Sequence, residues 1–164
     1  MASHKDDTSV TDGPSLHDDA ALYDEFERFQ QRFNVPQDRK YRYVFYTYGV
    51  HHTEDMIKVL EDLAGRGHVE SMNALGICYF VGDCVKDQTR AFELFERAAT
   101  KGDTAAMVNV GTCFERGEGV AQDTAKAFQW YSRAAENGDA VAENSLGLCY
   151  EDGIGVEKRH EDGI

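Results

Sequence analysis

No stretch of this 164-residue sequence approaches the roughly 18 consecutive apolar residues that a membrane-spanning helix needs. Apolar residues still make up 41% of it, enough for a modest core. The opening Met1-Ala2-Ser3-His4-Lys5-Asp6-Asp7 lacks an apolar h-region, so no secretory signal is expected and a reducing, cytoplasmic compartment is. Basic residues are scarce: 17 Lys and Arg against 30 Asp and Glu leave a formal net charge of −13. Such a field repels phosphate backbones and anionic lipid, which argues against nucleic acid and membrane surfaces as partners. It favours solubility and basic partners, although many soluble proteins carry an acidic surface with no partner behind it.

The common catalytic and metal-binding patterns are missing too. The sequence has no Gly-x-Ser-x-Gly elbow, no Walker loop and no His-Glu-x-x-His helix. Ser71, Ser132 and Ser145 stand on expected helices without a paired base. The cysteines form no C-x-x-C and no zinc-like spacing. His51-His52 beside Glu54 and Asp55 suggests a metal, but adjacent histidines at a helix entrance point apart and nothing else converges on them. Glu151-Asp152-Gly153 and Glu161-Asp162-Gly163 do not fit the spaced calcium loop. The sequence therefore assigns no catalytic residue, no cofactor and no metal ligand.

What the chain does have is internal repetition. Three segments align at a period of 35 or 36 residues, beginning Gly67-His68-Val69, Gly102-Asp103-Thr104 and Gly138-Asp139-Ala140. Glycines recur at 76, 111 and 147 and again at 82, 117 and 153, and valines at 85, 120 and 156. A second block recurs as Ala91-Phe92 with Ala98-Ala99 and as Ala127-Phe128 with Ala134-Ala135. Each unit predicts two helices. In the first, Ser71, Leu75, Cys78, Tyr79 and Gly82 form one stripe at helical period. Gly117-Glu118-Gly119-Val120 then supplies residues able to take positive φ, and Asp123 or Thr124 offers an N-cap. The second helix turns Ala127, Phe128, Tyr131, Ala134 and Ala135 inward and ends near Asn137-Gly138. A glycine inside a helix costs about 1 kcal/mol relative to alanine, so its repeated use at 76, 111 and 147 implies close packing.

The pattern Leu146-Gly147-x-Cys149-Tyr150-x-x-Gly153-x-Gly155-Val156, with Asp123, Lys126-Ala127-Phe128, Trp130-Tyr131 and Ala134-Ala135-x-x-Gly138, resembles the Sel-1-like repeat, a relative of the tetratricopeptide repeat. The resemblance covers residues 67–164, with the third repeat incomplete. It implies an all-α, right-handed α/α superhelical solenoid of helix-turn-helix repeats, and a role as an adaptor or scaffold that binds a protein or peptide. A fainter copy, shifted back by 35, places Phe92 on Ile57, Phe95 on Leu60 and Ala99 on Ala64, so residues 37–66 read as a divergent capping repeat. The run Tyr41, Tyr43, Val44, Phe45, Tyr46, Tyr48 would be its first helix, although its alternation also suits a strand. Upstream, Leu22, Phe26, Phe29 and Phe33 mark an amphipathic helix within 16–36, ended by Asn34-Val35-Pro36, and residues 1–15 read as a disordered tail.

After Val156 the register calls for an alanine near 163 and an aromatic-bearing helix, and neither is present. That end is expected to fray, to form a homodimer, or to continue in a longer chain. Cys78, Cys113 and Cys149 share one repeat position. Neighbouring helix axes lie about 8–10 Å apart and a disulfide needs Cα atoms within about 7 Å, so these three are expected to be buried thiols. Cys84 is the one expected to be exposed. Some relatives of the resembled family staple each repeat with a disulfide, and some have been linked to β-lactam hydrolysis; this chain lacks the cysteine pairs for it. A hydrolase is thus the alternative from another class, and a non-catalytic spacer module the third reading.

In the resembled family, first helices line the concave side. By register this points to Asn73, Ile77 and Phe80, then Val108, Thr112 and Glu115, then Asn144, Leu148 and Glu151 as partner-binding residues. Ile77 and Phe80 either form an exposed apolar pair suited to a peptide with basic flanks or pack against the N-terminal cap. The sequence leaves both open.

Overall fold

A computed structural model describes residues 16–35, 53–82 and 86–153, and every element among them is an α-helix. In chain order these are α1 (Leu16–Arg32), α2 (Glu54–Gly65), α3 (Val69–Val81), α4 (Gln88–Thr100), α5 (Thr104–Arg116), α6 (Thr124–Glu136) and α7 (Ala140–Asp152). The expected tail over 1–15, the Tyr41–Tyr48 run, His51-His52, Cys84 and the segment after Gly153 lie outside the described residues. From α2 onward each helix packs on its neighbours in sequence, most closely within the α3–α4 and α5–α6 hairpins, and α1 lies on α2. Contact between successive hairpins, with one continuous core running through them, makes this an all-α repeat solenoid.

The same three-residue junction follows α2, α4 and α6. Gly67, Gly102 and Gly138 take φ of 100°, 96° and 81°, where a side chain would be strained. Each donates its N–H two residues into the last turn, Gly67 to Ala64, Gly102 to Ala99 and Gly138 to Ala135. The next residue closes a Schellman motif: His68 donates to Leu63, Asp103 to Ala98 and Asp139 to Ala134. That residue is also the N-cap of the following helix, its side chain accepting from Ser71, Ala106 and Ala142 N–H respectively. One residue thus ends one helix and begins the next. Within the repeats, Asp87 and Asp123 cap α4 and α6, resolving the choice between Asp123 and Thr124 in favour of Asp123.

Helix α1 buries Leu22, Phe26 and Phe29 and half-buries Phe33, the stripe its spacing predicts. It ends on its own Schellman motif, with Asn34 in place of glycine at φ 55° and Val35 N–H reaching Gln30 O at 2.8 Å. Val35 is buried against the helix it terminates. The Phe26 and Tyr23 rings lie on the His68 ring at 4.5 and 5.0 Å, and Arg66 bridges Glu25 of α1 and Asp62 of α2. The N-terminal helix is therefore fastened to the first junction.

Helix α3 departs from the one-stripe expectation. Ser71, Met72, Ala74, Leu75, Gly76, Ile77, Cys78 and Tyr79 are all buried, leaving no single apolar face. A helix apolar nearly all round is an interior helix. The second helices keep the expected two-sided pattern: α6 buries Ala127, Tyr131 and Ala134 and half-buries Phe128 and Ala135.

Candidate functional site

The nine register positions run along the first helices α3, α5 and α7 and differ in how far each is covered. Asn73 and Phe80 on α3, and Val108, Thr112 and Glu115 on α5, are half-buried. Asn109 Nδ2 donates to Asn73 Oδ1 at 2.8 Å, tying α3 directly to α5 across the repeat boundary. On α7, Asn144, Leu148 and Glu151 are exposed. Of the nine register positions only Ile77 is buried, at 4% exposure. It belongs to the continuous core, as most of α3 does. Phe80 is tilted against Phe95 of α4, ring centroids 6.2 Å apart, so it divides its surface between packing and solvent.

Thr112 and Glu115 also have neighbours in the fold. Tyr131 of α6 donates its hydroxyl to Glu115 Oε2 at 2.6 Å, and the same hydroxyl lies 3.2 Å from Thr112 Oγ1. Thr112 Oγ1 in turn donates to Val108 O at 3.1 Å. Burial, then the Glu115 contact, push the Tyr131 hydroxyl well above the ordinary tyrosine range, keeping it protonated and donating. This network was not visible in the register, which counts positions on one helix and says nothing of the ring arriving from the next.

Tyr131 reaches its place over a glycine. A Cβ at Gly111 would lie 2.6 Å from its ring, and a Cβ at Gly76 would lie 2.6 Å from the ring of Phe95. Each repeat glycine is therefore a seat for the aromatic side chain of the following second helix. Gly147 is the third such seat, and nothing lies within 4 Å of a Cβ built there. A cation completes each filled seat. The Arg90 guanidinium stands 4.8 Å from the Tyr79 ring centroid and the Lys126 ammonium 5.3 Å from that of Phe114. Tyr150 holds the same position on α7 and is 62% exposed, alongside Val141 at 62% and Leu148 at 53%. The pairing of Gly76 with Phe95 and of Gly111 with Tyr131 was recoverable from the aligned repeats, since both members recur.

The chemistry available is that of packing and polar contact. Cys78, Cys113 and Cys149 are buried thiols, and burial pushes Cys113 up to about 12. Among the described residues no group of three or more His, Cys, Asp or Glu is arranged to hold a metal ion, and no helix is long and apolar enough to cross a membrane.

Consecutive helical hairpins joined by three alike capped junctions, two of the hairpins with an aromatic ring seated on a glycine, define an α/α repeat protein. The Sel1 repeat family matches residues 69–103, 104–139 and 140–162, more than half of the chain, and the chain belongs to that family. Among solved structures it is similar to a Sel1 repeat protein from Oxalobacter formigenes, at 29% identity and TM-score 0.61, over 71% of this chain and 35% of that one. It is also similar to c5321, a protective antigen present in uropathogenic Escherichia coli strains that displays an SLR fold, at 26% identity and TM-score 0.62, over 85% and 30%. Cysteine rich protein B of Helicobacter pylori shares the fold at 16% identity and TM-score 0.57, over 82% of this chain and 100% of that one. The chain spans about a third of the length of the first two. No curated protein matches it.

Proposed function

We propose that this chain is a non-catalytic protein-interaction module that receives a partner along the line formed by Asn73 and Phe80 of α3, Val108, Thr112 and Glu115 of α5, and Asn144, Leu148 and Glu151 of α7. Sel1 repeat proteins generally mediate interactions between proteins, and the Sel1 fold is typically a non-enzymatic scaffold. The observation that carries the reading here is that these positions stay partly exposed on α3 and α5, whose other residues are largely buried, and lie open on α7. Along it, apolar Phe80, Val108 and Leu148 alternate with amides and with the carboxylates of Glu115 and Glu151. Such a mixture suits a peptide or helix with apolar anchors and basic flanks, and the net charge of −13 steers basic partners toward it. Both the adaptor role and a cytoplasmic setting belong to this proposal.

Crosslinking capture from native lysate tests it. The chain is compared with a Phe80→Ala/Asn144→Arg variant whose helicity and melting temperature are checked first. Phe80 is only half-buried and Asn144 is exposed, so the variant is expected to fold and to lose the captured proteins. Capture of the same proteins by both chains removes the line as a recognition surface.

A further inference from the structure

The junction between α6 and α7 differs from the other two in one chemical respect. Its first residue is Asn137, where the other junctions carry Arg66 and Lys101, and glycine follows it. Asn137 is the one asparagine of the five in the sequence that precedes a glycine. An asparagine side chain can be attacked by the next residue's backbone nitrogen, and glycine, with no Cβ beside that nitrogen, hinders the attack least. Asn137 and Gly138 are both exposed, and nothing lies within 4 Å of a Cβ built on Gly138, so water and hydroxide reach the peptide. Three features of the junction nevertheless hold the reacting atoms apart. The Gly138 N–H donates to Ala135 O at 2.8 Å, so the nitrogen keeps its proton while that bond stands. Asn137 has ψ of 7°, which turns the Gly138 nitrogen over the Asn137 backbone nitrogen instead of over Cβ, where ring closure needs it. Asn137 Nδ2 donates to Arg133 O at 3.0 Å and lies 3.7 Å from Met107 Sδ, which draws the amide back along α6.

We propose that Asn137–Gly138 is a spontaneous deamidation site restrained by the closed junction, so that modification follows opening of the α6–α7 joint. Once the junction opens, hydroxide takes the Gly138 amide proton and the nitrogen bonds to Asn137 Cγ. Nδ2 then leaves as ammonia, taking a proton from water. Water cleaves the resulting cyclic imide at either carbonyl. Breaking the bond from Cγ to nitrogen gives aspartate; breaking the original main-chain bond gives isoaspartate, whose main chain runs through Cβ and Cγ. Aspartate at 137 loses the donor to Arg133 O and places negative charge at the C-terminus of α6, where the helix dipole disfavours it. Isoaspartate also adds a carbon to the main chain of a junction in which Asp139 must both close α6 through Ala134 O and cap α7 through the Ala142 N–H. Arg66 and Lys101 have no route to this product, so only the α6–α7 joint carries the site.

The test holds the intact chain at mildly alkaline pH, native or in guanidinium chloride, and follows the tryptic fragment containing residue 137. Mass spectrometry reads the exchange of NH2 for OH, and chromatography separates the aspartate and isoaspartate forms. Unfolding is expected to speed the reaction at least about tenfold, because it breaks the Gly138 and Asp139 hydrogen bonds together. Asp139→Ala removes the α7 cap, leaves Asn137 and Gly138 in place, and should speed the reaction of the native chain about fivefold. Asn137→Lys, which borrows the residue found at 101, should fold as the parent does and give no product at 137. The isoaspartate form, purified by ion exchange, should melt below Asn137→Asp, which carries the charge without the added carbon. Equal rates in the native and unfolded chain overturn the proposal, as does an unfolded chain in which Asn137 reacts no faster than Asn144. An isoaspartate form as stable as Asn137→Asp overturns the claim that modification disturbs the joint.

Discussion

Replacing Gly111 by alanine adds one methyl group, and its effect on stability is set by the Tyr131 ring. In open helix the change gains about 1 kcal/mol, because alanine is the better helix former. At Gly111 the new Cβ would sit 2.6, 2.8 and 3.1 Å from three ring atoms of Tyr131. That ring cannot retreat freely: it is 2% exposed and its hydroxyl is held by Glu115 at 2.6 Å. Overpacking a tight site costs about 1–3 kcal/mol, and shifting the ring weakens a hydrogen bond to a charged group worth about 1.5–3 kcal/mol. Gly111→Ala should therefore lose about 1–3 kcal/mol net. Gly147→Ala, the same change at the open seat, should gain up to about 1 kcal/mol. Helix propensity cancels in the difference, leaving the ring contact isolated. At about 2–4 °C per kcal/mol for a chain of this size, urea and thermal melts followed by circular dichroism separate the two variants easily. Gly111→Ala/Tyr131→Leu should cost less than the sum of its single changes, because the clashing ring is gone. If Gly111→Ala matches or exceeds the parent in stability, the glycine is not a ring seat and the packing account of the repeat is wrong.

His68 gives the fold a pH dependence. Its Nδ1 accepts the Ser71 N–H at 3.2 Å, so that nitrogen cannot be protonated while the cap holds, and burial lowers the ring's pKa below 6.5 against a smaller opposing effect of Glu70. The unfolded chain then binds more protons as pH falls below 6.5, and stability falls with it. Between about pH 7.5 and about pH 5.5 the parent should lose more melting temperature than His68→Asn, which keeps a capping oxygen without titrating; equal slopes would refute this. Cys113, with its thiol pushed up to about 12, should resist iodoacetamide in the native chain at mildly alkaline pH and react once urea unfolds it. Mass spectrometry reads the adduct, and equal labelling in both states would contradict the burial.

The repeat boundaries and most helix ends were legible because caps are local: Asn34, Asp123 and the junction glycines act through their own backbone and neighbours. Residue 68 also aligned with Asp103 and Asp139, which marks it as a cap, although a histidine there is an unusual choice. The burial of Ile77 had a signal that one-stripe counting missed. Val69, Met72, Ala74, Leu75, Ile77, Cys78, Tyr79, Phe80 and Val81 surround α3 with apolar side chains, the composition of an interior helix. The engagement of Thr112 and Glu115 by Tyr131 had none, because it depends on the distance between two helices rather than on spacing within one. Register could place these residues on a face. It could not say how much of that face the next helix takes.

The three capped junctions also govern how the repeats change length. Every junction between hairpins is three residues, Arg66–His68, Lys101–Asp103 and Asn137–Asp139, and each is closed at both sides by the same residue. The turn inside a repeat varies in length, six residues separating α3 from α4 and seven separating α5 from α6, which is where the period of 35 becomes 36, while its last residue, Asp87 or Asp123, keeps the same bond back to Tyr79 O or Phe114 O. An inserted residue in a junction would uncouple a helix end from the next helix start, and about 100° of rotation per residue would then propagate into every hairpin beyond it. In the turn, the same insertion is absorbed locally. The junctions thus act as set joints and the turns as slack, so whole repeats and turn residues can be gained or lost while the angle from one hairpin to the next is inherited unchanged.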